Sequence, residues 1–178
     1  MKELINLRRP REKHFYEVDG TCKALMYDED VHYLKNGSYC EIDNTLVEKG
    51  GAYENKENKF KVRFPKLDDR VLYRIEEENY YIEFAHVKPK TERFFMETNK
   101  NTLFMRNLTE QLDAKYTIIG SKLKESLILK EYTDEDIAFS MKTDAELRLE
   151  NGRVLGKIDD KMVFRSTIYG VCGWKVFR

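Results

Sequence analysis

The chain has 178 residues, 41% of them hydrophobic and 12% aromatic, which is enough apolar material to close a core and too much for a disordered segment. Its 32 Lys and Arg balance 32 Asp and Glu, so the formal net charge is zero and nucleic acid, whose binding draws on phosphate neutralisation, is not an expected partner. No apolar run approaches the ~20 residues that span a bilayer as a helix, and the N-terminus lacks the apolar segment of a secretory signal, so the expectation is no membrane partner and, unless a signal has been trimmed, a cytoplasmic product.

Residues 1–13 read as a polar N-terminal arm, with Arg8, Arg9, Arg11 and Lys13 as its basic cluster and solvation as its expected state. From residue 14 strand patterns dominate. "TCKALMYD" alternates Cys22, Ala24 and Met26 with Lys23, Leu25 and Tyr27. Asn36-Gly37 is a strong hairpin signal and predicts a type I′ turn between "VHYLK" and "SYCEID". That turn pairs Lys35 with Ser38, Tyr33 with Cys40 and Val31 with Ile42, and on the other face His32 with Glu41 and Leu34 with Tyr39. Cys40 is then expected in the core, and His32 on the outer face as a charge partner for Glu41. "KFKVRF" places Phe60, Val62 and Phe64 on one side of a strand and Lys59, Lys61 and Arg63 on the other. In "RVLYRIEEENYYIEFAHV" a turn around Glu77-Glu78 predicts Ile75 opposite Tyr80, Tyr73 opposite Ile82 and Val71 opposite Phe84. His86 ends that stripe as a packed histidine with a local hydrogen bond.

The alternation lapses over residues 88–101, a soft boundary between a β-rich half at 14–90 and a second at 101–178. Beyond it lie "TLFMRNL", "AKYTIIG", "KLKESLILKEY" and "DIAFSMK". An Asn151-Gly152 hairpin follows, with Leu149 opposite Val154 and Leu147 opposite Gly156. "NLTEQLD" is at most a loop or one helical turn. Short strands at this spacing predict an all-β protein of two small packed antiparallel β-sandwich-like halves.

Catalysis needs a matched set of groups, and no nucleophile, base and acid are spaced for it here. The histidines read as arm (His14), outer-face pair (His32) and core stripe (His86). Cys22, Cys40 and Cys172 are too scattered for a disulfide framework or a zinc site and are expected as buried thiols, with a Cys22–Cys40 bridge left to geometry. The acidic runs at Asp28-Glu29-Asp30, Glu76-Glu77-Glu78 and Asp134-Glu135-Asp136 lack the spacing of a calcium loop and read as solvated turns. The expectation is therefore no enzyme, no cofactor and no metal, with an enzyme whose site the motifs do not reveal kept as an alternative. Two surface readings stay open: a glycan platform of Tyr39, Tyr81 and Trp174, and a protein-contact surface formed by an uncovered strand edge together with Trp174, Val176 and Phe177 near the C-terminus.

Three phrases, "YEVDGTCKALMYDEDVHYLKNGSYCEIDNTLV", "YENKENKFKVRFPK" and "LDAKYTIIGSKLKESLILK", together resemble the region ahead of the repeats in secreted Rhs/YD-repeat and wall-associated proteins of Gram-positive bacteria. The resemblance runs from about residue 16 to residue 169. It implies a non-enzymatic β-module, secreted or wall-associated, whose partner is a repeat-containing polypeptide or a second copy of itself. It marks Val31, His32, Tyr33, Ile42, Asp43, Asn44, Thr45 and Leu46 as fold-defining, and likewise Asp113, Tyr116, Leu123, Lys124 and Glu125. This chain departs from the pattern in carrying no YD-type repeats and no C-terminal effector.

Overall fold

The structure is a computed structural model describing residues 1–68, 70–78, 80–132, 137–150, 153–158 and 161–165, with side chains through residue 148. Strands β1 (Lys2–Glu3), β2 (Glu12–Tyr16) and β3 (Cys22–Met26) form a small sheet, with a 3-10 turn at Ile5–Leu7. The hairpin of β4 (His32–Lys35) and β5 (Ser38–Glu41) follows. Next come β6 (Asp43–Lys49), β7 (Ala52–Glu57), β8 (Lys61–Pro65), β9 (Val71–Glu77) and β10 (Tyr80–His86). The chain continues through β11 (Phe95–Asn99), β12 (Thr102–Arg106), β13 (Leu112–Ile119), β14 (Lys122–Leu129) and β15 (Phe139–Thr143). It ends, among the described residues, with β16 (Glu146–Glu150), β17 (Arg153–Ile158) and β18 (Lys161–Arg165). The protein is all-β, and every strand pairing is antiparallel.

Two sheets carry the core. One is six-stranded in the order β15-β10-β9-β8-β7-β6, and the other is four-stranded in the order β11-β12-β13-β14. Alternation puts Leu46, Val62, Phe64 and Tyr73 on the inner face of the first, where they meet Leu103, Met105, Ala114, Tyr116 and Ile118 of the second in one apolar cluster. The Tyr116 ring lies 5.3 Å from Phe64 and 5.1 Å from Tyr73, so aromatic contacts cross the interface directly. The stretches on either side of residues 88–101 are interleaved, because β15 pairs along β10 from Ile82↔Thr143 to His86↔Phe139. A single sandwich core thus draws on both.

The Asn36-Gly37 hairpin has the expected register, His32↔Glu41 and Tyr33↔Cys40, with positive φ at both turn residues (51° and 79°). Leu149↔Val154 and Leu147↔Gly156 also pair as read. The β9–β10 register differs by two residues from the expectation: Ile75 lies opposite Ile82 and Tyr73 opposite Phe84, with Glu77 paired to Tyr80. A two-residue slip leaves every side chain on its own face, so Tyr73, Ile75, Ile82 and Phe84 still point inward. His86 is buried, and its Nδ1–H donates to the Lys88 carbonyl at 2.9 Å, as expected of a packed histidine.

Three asparagines tie neighbouring segments together, one within a sheet and two between sheets. Asn55 is fully buried on β7; its Oδ1 accepts the Val62 N–H at 2.8 Å and its Nδ2 donates to the Phe60 carbonyl at 3.1 Å. At one end, Asn44 and Asn58 both donate to the Gly120 carbonyl, at 3.0 and 2.8 Å, clamping the β13–β14 turn against β6 and the β7–β8 turn. Asp43 Oδ1 accepts the Thr45 N–H at 2.9 Å and sets the bend that aims Asn44.

Candidate functional site

Residues 1–13 are not a solvated arm. Lys2 pairs with Tyr16 and Glu3 with Phe15, while the Pro10 carbonyl accepts the backbone N–H groups of Val31 and His32 at 2.8 and 3.1 Å. The segment therefore lies over the start of β4. The hairpin register sends His32 away from Tyr33, as read from the sequence, but the face it enters is covered, and His32 is 2% exposed instead of being an outer-face residue. Its Nδ1 lies 2.8 Å from the Arg9 carbonyl. A carbonyl only accepts, so Nδ1 carries the proton, and in the neutral form of the ring Nε2 presents a bare lone pair. That Nε2 is buried and has no hydrogen-bond partner.

Around it sits a charged network. Arg8 grips the Glu3 carboxylate with Nε at 2.8 Å and Nη2 at 3.0 Å, the bidentate geometry that suits guanidinium to carboxylate. Arg8 Nη2 also lies 3.5 Å from Glu41 Oε1, and Lys13 Nζ bonds the same oxygen. The hydrogen bond from Arg8 holds the Glu3 carboxyl below the usual carboxylate range, and that from Lys13 does the same for Glu41. An open groove adjoins this network, lined by Lys2, Ile5, Asn6, Ser38 and Tyr39.

Tyr39 is half-buried on β5 at this groove, and its carbonyl accepts from Arg8 at 3.5 Å. Tyr81 is on β10 in a different sheet, with the Arg74 guanidinium 4.1 Å above its ring. Trp174, Val176 and Phe177 lie outside the described residues, as does Cys172. The thiol expectation is corrected: Cys22 is exposed and Cys40 half-buried, and both are free. Cys22 closes a strand pair whose faces receive little cover, so alternation there brings no burial. Nor are all the acidic runs left to water, since Asp30 pairs with Arg11 at 3.0 Å and Glu29 with Lys122 at 2.9 Å.

A second surface feature is β14. Its inner side pairs with β13 over all eight residues, from Ile119↔Lys122 to Leu112↔Leu129, and its outer edge has no strand partner among the described residues. Toward its end the strand runs through the uncharged Leu127-Ile128-Leu129, with Ile128 38% and Leu129 51% exposed, and the flanking Lys130 is engaged by Asp113. Among the described residues no helix is long and apolar enough to cross a membrane. Comparisons with protein-family models, with curated proteins and with solved structures find no match.

Proposed function

We propose that this chain is a non-catalytic β-module that works by associating with protein, in keeping with its resemblance to the region ahead of the repeats in Rhs/YD-repeat and wall-associated proteins. The observation that carries the reading is the β14 edge: an eight-residue strand whose outward-facing backbone N–H and C=O groups, on alternate residues, have no strand partner among the described residues, ending in exposed Ile128 and Leu129. Such an edge is a template for a further strand. The partner is a segment of a repeat-containing polypeptide or a second copy of the chain.

Three of the residues marked by the resemblance as fold-defining, Asp113, Tyr116 and Leu123, support the reading, because they are spent on packing and internal hydrogen bonds. Asp113 accepts from the Asn107 N–H at 2.8 Å and from Lys130 at 3.0 Å, Tyr116 is fully buried, and Leu123 packs against the core. Light scattering of the protein alone and mixed with a repeat-containing polypeptide tests the proposal. The double substitution Ile128→Lys with Leu129→Lys should abolish association while shifting stability by no more than about 1 kcal/mol, as expected for two exposed positions. A protein monomeric under both conditions, with glycan binding lost on Tyr39→Ala, would instead support a carbohydrate-binding module.

A further inference from the structure

The orphaned Nε2 of His32 has a specific surrounding. It lies 3.9 Å from Glu3 Oε1, and the coordinating atoms of Glu3, His32 and Glu41 all fall within 4.8 Å of one another. The ring is already fixed on its far side by the Nδ1–H bond to the Arg9 carbonyl, the arrangement that holds a metal-ligating imidazole in one tautomer and orientation. Burying an acceptor without a donor costs about 1–3 kcal/mol, so the position calls for something to fill it. We propose that Glu3, His32 and Glu41 form a binding site for one divalent transition-metal ion of the zinc class, with His32 Nε2 as the nitrogen ligand.

Ligand chemistry sets the class. One imidazole nitrogen and two carboxylate oxygens suit zinc and its neighbours, whereas calcium and magnesium take oxygen sets. Zinc with bonds of about 2.0–2.1 Å in a tetrahedral arrangement separates its ligand atoms by roughly 3.3 Å, so the two carboxylates must close in while the histidine stays still. They have room to do so, because the Glu41 side chain is 52% exposed and the Glu3 side chain 22%. The two carboxylates stay neutralised in the exchange, while Arg8 and Lys13 carry their charge out to solvent. In the metal-free protein the two carboxylates are neutralised by Arg8 and Lys13, and one divalent ion replaces both. Arg8 is therefore the competitor of the metal, its guanidinium swinging out as the ion enters. Bound metal would staple β1 to the β4–β5 hairpin, independently of any association through β14.

Zinc chloride added to the full chain tests this by thermal unfolding, calorimetry and imidazole nitrogen NMR. The expected result is a zinc-dependent rise in Tm that magnesium does not reproduce, with the largest chemical-shift change at His32 Nε2. Glu41→Gln, at an exposed side chain, should weaken zinc binding by on the order of tenfold or more, the scale at which even outer-shell partners act. Arg8→Gln should tighten it, which a purely structural role for Arg8 does not predict. The proposal is overturned if zinc leaves Tm unchanged, if its shifts are confined to His14 or Cys22, or if Arg8→Gln binds zinc no better than the parent.

Discussion

Among the described glycines Gly120 is the most demanding backbone position, and replacing it by alanine isolates why. Its φ of +52° lies in the left-handed region, and a Cβ there would stand 3.0 Å from both the nitrogen and the oxygen of Asp30 and 3.2 Å from Glu29 Cβ. Left-handed backbone costs an L-residue about 1–2 kcal/mol, and forcing atoms into a packed contact adds about 1–3, so Gly120→Ala should cost about 2–5 kcal/mol. The turn cannot simply retreat, because Asn44 and Asn58 both hold the Gly120 carbonyl. Gly37 supplies the control. Its φ is +79° with nothing within 4 Å of an added Cβ, so Gly37→Ala should show only the conformational cost of about 1–2 kcal/mol. Urea denaturation of both variants checks the comparison. With an m-value of about 1–3 kcal/mol per molar, the extra loss at Gly120 moves the midpoint by roughly 1 M further. Equal losses at the two glycines would refute the close packing of the β13–β14 turn on residues 29 and 30.

Asn55→Ala strands the buried Val62 N–H and Phe60 carbonyl, and should cost about 2–6 kcal/mol at about 1–3 per unsatisfied group, with faster hydrogen exchange at the Val62 amide. Glu3 and Glu57 are carboxyls held below their ordinary value of 4.5 by hydrogen bonds from Arg8 and from the Tyr33 hydroxyl. Their stabilisation is complete above pH 4.5 and is lost as pH falls through the folded-state values, so Arg8→Gln should flatten the acid limb of a Tm-against-pH curve. Glu125 has the opposite sign. Although the residue as a whole is exposed, desolvation at its carboxylate raises it above 4.5, against the pull of the Tyr116 hydroxyl that donates to it at 2.8 Å. Stability is then lost as pH rises through the folded-state value, and Glu125→Gln should raise the unfolding midpoint at pH 7 and leave it unchanged well below pH 4.5.

Much of the β architecture is legible without coordinates, because strand identity is a local property. Period-two alternation at Val62 and Phe64 becomes the inner face of β8, with Phe60 buried just ahead of it, and Asn36-Gly37 dictates its hairpin through backbone sterics alone. Even the misread β9–β10 register preserved the faces, since a slip of two keeps the pleat in phase. What alternation cannot say is which of two faces is covered, and by what. Cys22 and His32 follow the same strand logic and meet opposite ends: Cys22 is left exposed, and His32 is sealed by Arg9 and Pro10 from 22 or more residues earlier. The Glu3, Arg8 and Glu41 network was invisible for the same reason, as its members are ordinary charges until a backbone hydrogen bond at Pro10 lays one segment over another. Burial is a property of pairs of elements, and only the tertiary structure decided which pairs meet.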